Sequence, residues 1–146
     1  MTASEYGKAP PKWLLRLLTR VNLLVYSASG GRWMSALAGR DICFVTMTGS
    51  RTCKPRRVPL LHIPHEDGVI LVASQGGADT HPAWYHNLIK TPAITVEVRG
   101  ARMVLSARLA TPEGKARLWA TCVAHYPPYE TYQRRTRRDI PVFICR

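Results

Sequence analysis

The sequence predicts an α+β domain: a small β-barrel of about six strands with helical decoration. Three observations lead there. Apolar residues make up 46% of 146 positions, enough for one buried core. Short β-rich runs recur between Ile42 and Cys145, separated by turn signals. Few helical stretches interrupt them.

The chain divides near residue 40. Residues 1–10 (MTASEYGKAP) form a loose polar tail, followed by Pro10-Pro11, which opens a helix. Leu14, Leu17, Leu18, Val21, Leu24 and Val25 recur at helical steps, with Lys12, Arg16 and Arg20 on another face. This basic amphipathic helix is too short and too charged to span a bilayer. Either its apolar stripe packs on the domain, or residues 11–27 lie on an anionic membrane, where Trp13 and interleaved arginines suit the interface. Ser29-Gly30-Gly31 and Gly39 punctuate its end, so residues 1–39 form an N-terminal region and 40–146 the barrel domain.

Strands are expected at Ile42–Thr48, Arg57–Ile63 and Val69–Ser74, spaced as an antiparallel meander. Gln75–Pro82 is a glycine-rich connector, and His81–Lys90 a short helix with Pro82 in its first turn. Ile94–Val98 and Arg102–Ala110 read as a hairpin. Thr111 as N-cap and Pro112 at the first position start a helix through about His125. Tyr126–Asp139 reads as a polar, aromatic linker with at least one helical turn, and Ile140–Cys145 closes the chain as a strand.

A net charge of +12 calls for an anionic partner: nucleic acid, a membrane face or a multiply charged small molecule. No secretory leader is read in the polar first ten residues, so a cytoplasmic, reducing compartment is the expectation. Cys43, Cys122 and Cys145 sit in apolar contexts as reduced core residues, and Cys53 stands in a basic loop without a nearby His or second Cys. The spacings of His62 and His65, and of His81 and His86, set no metal site.

The stretch TGSRTCKPRRVPLL places Arg51, Lys54, Arg56 and Arg57 within seven residues. It lacks a P-loop pattern, yet turn N–H groups with Lys and Arg can hold phosphate or carboxylate; otherwise it is a solvated basic loop. If the next strand alternates, Arg57 points opposite to Arg56. Ala73–Gly77 (ASQGG) ends a strand and lets backbone approach a ligand. Trp84, Tyr85, His86 and Asn87 either border a planar ligand or form, through Trp84 and Leu88, a core face. Tyr126, Tyr129 and Tyr132 recur every third residue and line a cavity or cap the fold. No hydrolytic triad or carboxylate pair is evident. Cations, a glycine turn and two aromatic clusters around a small barrel suit a bulky, anionic, planar redox cofactor.

The segments TGSRTCKPRRVPLL, VASQGGADTHPAWYHNL, ARLWATCVAHYPPYETYQRRT and IPVFIC resemble, in order and spacing, the deazaflavin-dependent nitroreductases of actinobacteria, which use coenzyme F-420. The resemblance covers roughly Asp41 to Cys145 and implies a split β-barrel like that of flavin reductases. It implies that Lys54, Arg56 and Arg57 meet the coenzyme's phosphodiester and γ-linked glutamate tail. Pro59 belongs to the same implied coenzyme set, with Ala73, Ser74, Gly76 and Gly77 along the deazaflavin and its linker. Trp84 and Asn87 would border the pocket, and Tyr126, Tyr129 and Tyr132 the substrate side, with Tyr129 the first choice for an active-site hydroxyl. Implied with them are hydride transfer from C5 of the reduced deazaflavin to a menaquinone-like or nitroaromatic acceptor, and a monomeric protein. A basic N-terminus suits peripheral contact with the inner face of the cell membrane.

One departure stands near the expected tail. Where the family often has Pro and Lys after Gly-Gly-Ala, this chain has Asp79-Thr80. Two alternatives remain. One is a flavin, haem or coenzyme-binding barrel without nitroreductase turnover. The other, nucleic-acid binding, finds no helix-turn-helix, zinc or RNP-like motif in its support, so no nucleic-acid partner is expected.

Overall fold

The computed structural model describes residues 41–146, with Trp13 and Leu17. Both of these are helical and exposed. The remainder of the expected N-terminal helix, and the division near residue 40, lie outside the described residues.

Seven strands and three helices follow. They are β1 (Ile42–Thr48), β2 (Pro55–Leu61), β3 (Ile63–His65), β4 (Gly68–Val72), α1 (Ala83–Lys90), β5 (Ala93–Val98), β6 (Ala101–Leu109), α2 (Pro112–His125), α3 (Pro128–Arg135) and β7 (Val142–Cys145). A short turn of 3₁₀ type, Gln75–Gly77, stands between β4 and α1. The strands form one antiparallel sheet in the order β2-β1-β5-β6-β7-β4-β3.

The two edges of this sheet, β2 and β3, are separated in sequence by His62 alone. A flat seven-strand sheet would hold its edges about 29 Å apart, at about 4.8 Å per spacing. Two residues of extended chain reach only about 7 Å. The sheet must therefore curl until its edges meet. β2 and β3 are two halves of one bent strand: its first half pairs with β1 and its second with β4. Six strand positions close the ring, as the sequence suggests, although hydrogen bonding divides one of them. The expected antiparallel meander is present, through the two halves of the bent strand. β1–β2 and β3–β4 are hairpins, and β4 pairs onward with the last strand, β7, which the local pattern does not predict.

Alternation sorts the side chains into two cores. Inside the ring lie Cys43, Val45, Met47, Val69, Leu71, Ile94, Val96, Phe143 and Cys145. Trp84 and Leu88 of α1 join this inner core. Outside the ring, Ile63, Ile70, Val72, Ile140 and Val142 are covered by Cys122 of α2 and Tyr129 of α3. Thr111 caps α2 as its sequence predicts, accepting from the Gly114 N–H at 3.1 Å. The stretch read as a linker contains a complete eight-residue helix, α3. Proline at its start, and the burial of Tyr129, account for a helix that its strongly polar composition obscures.

The ring leaves no room beside β7 at Gly68, where a Cβ would collide with the carbonyl oxygen of Cys145. Gly68→Ala is expected to destabilise the fold by at least about 2 kcal/mol, read from the urea midpoint. An unchanged midpoint would mean that β4 and β7 are not packed in this register.

Candidate functional site

Strand directions place the basic loop and the glycine turn off the same end of the barrel. β1 ends there at Thr48, β2 begins there at Pro55 and β4 ends there at Val72, opposite the first residue of β7, Val142. α1 lies between the two connections.

The basic loop, Gly49–Lys54, is held from both sides. Its own closure runs from the Gly49 N–H to the Lys54 carbonyl at 2.8 Å and from the Cys53 N–H to the Gly49 carbonyl at 2.9 Å. Cys53 adopts a left-handed φ of 54° to make this closure. α1 then grips the peptide groups of Ser50. The Ser50 N–H donates to Asn87 Oδ1 at 2.8 Å, and Lys90 Nζ donates to the Ser50 carbonyl at 2.7 Å. Asn87 is buried, so its carboxamide is a fixed anchor. Arg51, Lys54 and Arg56 stay exposed on this scaffold.

Register separates the two strand arginines. Arg56 stands opposite Met47, whose side chain belongs to the inner core, so Arg56 rises from the inward face at the rim. Its Nη2 donates to Thr52 Oγ1 at 3.2 Å. Arg57 stands opposite Thr46 on the outward face. It pairs with Glu97 at 3.3 Å and its guanidinium lies 4.8 Å from the Phe44 ring centroid. Pro59, opposite Phe44, shares that outward face. The structure therefore brings Lys54 and Arg56 together and sets Arg57 and Pro59 apart from them.

Ala73, Ser74, Gly76 and Gly77 form the second wall. Ser74 is right-handed at φ −74°, whereas Gln75, Gly76 and Gly77 are left-handed at φ 45°, 62° and 77°. Gly77 is required, because a Cβ there would come within 2.8 Å of the Tyr132 carbonyl of α3. The segment after Tyr132 clamps this turn. Arg135 Nη1 donates to the Gly76 carbonyl at 2.8 Å, and Thr136 Oγ1 to Asp79 Oδ1 at 2.9 Å. Arg138 reaches the carbonyls of Ala73, Ser74 and Ala78 and contacts His81 Nδ1 at 3.0 Å. The Asp79-Thr80 departure thus has a local role: Asp79 takes the Thr136 bond, and Thr80 accepts from Gln75 Nε2 at 3.1 Å through its carbonyl.

Of the aromatic residues, Trp84 is a core residue packed 5.9 Å from the Phe143 ring. Tyr129 is only 4% exposed, and burial drives its phenol far above the ordinary range. Tyr126 and Tyr132 are half-buried, and their hydroxyls meet at 3.2 Å. Burial, then the bond to Tyr126, pushes Tyr132 up to about 12. Both influences keep that hydroxyl protonated, a donor near neutral pH. The free thiols Cys43, Cys122 and Cys145 are buried and Cys53 is exposed. No cluster of three metal-ligating side chains occurs among the described residues.

Sequence reasoning missed the anchors: Lys90, Arg135, Arg138 and His81. Arg138 sits in the run Arg134-Arg135-Thr136-Arg137-Arg138, where nothing in the sequence distinguishes the clamp from its neighbours.

The donor set of the rim is cationic side chains plus backbone N–H groups, which fits an anionic coenzyme. A split antiparallel barrel with this rim suits a protein that binds an anionic coenzyme. The sequence profile of the F420H(2)-dependent quinone reductase family matches residues 18–146, and the chain belongs to this family. It is an F-420-dependent reductase, and its cofactor is coenzyme F-420. A quinone reductase of Mycobacterium tuberculosis, named as F420H(2)-dependent, is 32% identical over 141 residues, covering 91% of this chain and 95% of its own. A solved F420-H2 dependent reductase superposes with a TM-score of 0.67 at 37% identity, covering 72% of this chain and 93% of its own. A structure described as a domain-swapped dimer gives a TM-score of 0.71 at 32% identity, covering 94% of this chain and all (100%) of its own. A haem storage protein of Vibrio cholerae, 11% identical with a TM-score of 0.52 over 73% of this chain and 81% of its own, shares the fold alone.

His81 is expected to couple the turn to acid. Burial, then the charges of Arg138 and His86, hold its imidazole below the ordinary value of 6.5. The neutral ring is the form the folded state prefers. Its contribution is complete above about pH 6.5 and is lost as pH falls through the lowered value. His81→Gln is expected to flatten the loss of thermal stability between about pH 7 and 5. An unchanged slope would assign that proton uptake elsewhere, His62 first, whose value burial also lowers.

Proposed function

We propose that this protein passes hydride from reduced coenzyme F-420 to a quinone, with Lys54 and Arg56 holding the coenzyme's anionic tail. The observation carrying this reading is the anchored loop: two exposed cations on a backbone fixed by Asn87 and Lys90, at the barrel end that also bears the glycine turn. Cations held in place lose less freedom on binding than cations on a mobile loop. Ala73, Ser74, Gly76 and Gly77 offer the backbone edge along the deazaflavin. Trp84 and Asn87 support the pocket from beneath, the first by packing and the second through Ser50. Arg57 and Pro59 belong to the strand-pair face in this proposal, and Arg57 acts there through Glu97.

When bound, the reduced deazaflavin supplies the hydride. The chain's part is binding, orientation and the proton. The Tyr126–Tyr132 hydroxyl pair is the donor we assign to the acceptor oxygen, because both hydroxyls are half-buried and hydrogen-bonded to each other. Tyr129 serves as the aromatic support beneath them, its ring 5.0 Å from Tyr126. Quinones of menaquinone type are the acceptor class, and nitroaromatics a second class accepting the same hydride.

Anaerobic mixing of reduced coenzyme with a menaquinone analogue tests this directly. Oxidised coenzyme should accumulate catalytically, and Tyr126→Phe combined with Tyr132→Phe should lower kcat roughly hundredfold. Tyr129→Phe should leave kcat close to that of the wild type. No turnover by the wild-type protein would remove the quinone reductase reading. An unchanged kcat in the double variant would move the proton donor to water.

Trp13 and Leu17 are helical and exposed at 67% and 51%, which supports peripheral contact of the basic N-terminal helix with an anionic inner membrane face. The full-length protein should sediment with anionic vesicles and a variant lacking residues 1–40 should not. Equal solubility of the two would end this proposal and leave a wholly cytoplasmic protein. A monomer is the proposed assembly; light scattering that gives twice the chain mass would instead place it with its domain-swapped neighbour.

A further inference from the structure

The turn after β4 uses its two kinds of backbone group very differently. The carbonyl of Ala73 accepts from Arg138 Nη2 at 3.2 Å and that of Ser74 from the same nitrogen at 2.8 Å. The carbonyl of Gly76 is taken by Arg135 and that of Ala78 by Arg138 Nε at 2.7 Å. The Ser74 carbonyl also accepts from the Gly77 N–H at 2.9 Å, and the Gln75 carbonyl from the Ala78 N–H at 3.1 Å. Every carbonyl from Ala73 to Gly76 therefore has a donor. The N–H groups of Ser74, Gln75 and Gly76 have no partner among the described residues. The right-handed conformation of Ser74 followed by left-handed Gln75 turns successive N–H groups into one concavity, a geometry that receives acceptor oxygens.

We infer that Arg138 is a positioning residue for coenzyme binding: it holds the Ala73 and Ser74 carbonyls to one side so that the N–H groups of Ser74 and Gln75, beside that of Gly76 whose peptide the Ala78 N–H fixes, face acceptor oxygens of the coenzyme. This rests on the reading that the turn lies along the coenzyme. Arg138 does not touch the ligand in this account. Its effect passes through the peptide planes, since a carbonyl held by a guanidinium fixes the N–H of the next residue in the opposite sense. The planar fork is what the arrangement requires. Its donors diverge to three carbonyls and to His81 at once, whereas a lysine ammonium presents three donors from a single point. The same guanidinium ties the end of the chain to α1 through His81, whose ring stacks on Tyr85 with centroids 4.1 Å apart. Turn and basic loop are thus fastened to the same helix, one by Arg138 and His81, the other by Asn87 and Lys90.

The test is a titration of oxidised coenzyme into full-length wild type, Arg138→Ala and Arg138→Lys, followed by coenzyme fluorescence and by the backbone amide resonances of residues 74–76. In wild type these amides should shift on saturation. Arg138→Ala should bind about tenfold or more weakly, with the KM for coenzyme raised and that for quinone unchanged. Guanidinium ion, well below denaturing concentration, should restore binding to Arg138→Ala, which general structural damage would not allow. Arg138→Lys should fold and still bind weakly. Wild-type affinity and amide shifts in Arg138→Ala would overturn the proposal. If that variant does not fold, wild-type affinity in Arg138→Lys would overturn it equally. Wild-type amides of Ser74–Gly76 that stay still at saturation, while those of the basic loop move, would instead overturn the placement of the turn along the coenzyme.

Discussion

Closure of the barrel by a single bent strand is the constraint on which the site depends. Residues 55–65 supply both edges of the sheet, with His62 at the bend. A ring closed this way has no slack: moving β2 against β1 would also move β3 against β4. The start of β2, which carries Arg56, and the end of β4, which leads into the glycine turn, are consequently fixed in one frame. The inner core is filled by Trp84, Leu88 and Phe143, which stiffens that frame.

Charge on this protein is distributed by face. Arg57 is neutralised on the outward side by Glu97, and Arg99 by Asp41 at 2.6 Å. Arg138 directs donors to three backbone carbonyls and to His81, and Arg135 directs Nη1 to the Gly76 carbonyl. Lys54 and Arg51 remain exposed on the rim, with exposed Arg56 bonded there to Thr52. A high net charge therefore does not describe a uniformly basic surface. Some of these cations are internal fasteners, and a smaller group faces solvent where an anionic tail can reach it. Exposed groups of this kind bind in a salt-sensitive way, because their field is screened within about 8 Å at physiological ionic strength.

Much of the fold was legible in the sequence. The runs ICFVTMT, ITVEV and VFIC became strands within a residue or two, because β-branched and aromatic alternation is a local signal. Thr111-Pro112 gave the start of α2, because a capping threonine and a first-turn proline are also local signals. Strand order was not legible: that β4 pairs with the last strand depends on ring closure, which no local pattern encodes. The site divides similarly. Opposite orientation of Arg56 and Arg57 follows from strand alternation, yet the partner that occupies Arg57 lies forty residues away in Glu97. Trp84 packs in the inner core, as the Trp84–Leu88 spacing suggests. Tyr126, Tyr129 and Tyr132 share a spacing, but burial separates the second from the hydroxyl pair formed by the other two. Arg138 had no signal at all, because its role is made by carbonyls roughly sixty residues upstream.

The central claim is that the anchored loop reads the coenzyme's anionic tail. The most direct measurement compares equilibrium binding of intact oxidised coenzyme F-420 with that of a deazaflavin fragment lacking the phosphodiester and glutamates, using wild type and the Lys54→Ala, Arg56→Ala double variant. The account predicts that the double variant loses affinity for the intact coenzyme and most of its salt dependence, while the weaker binding of the fragment is unchanged. Equal losses for both ligands, or wild-type affinity of the double variant for the intact coenzyme, would contradict it.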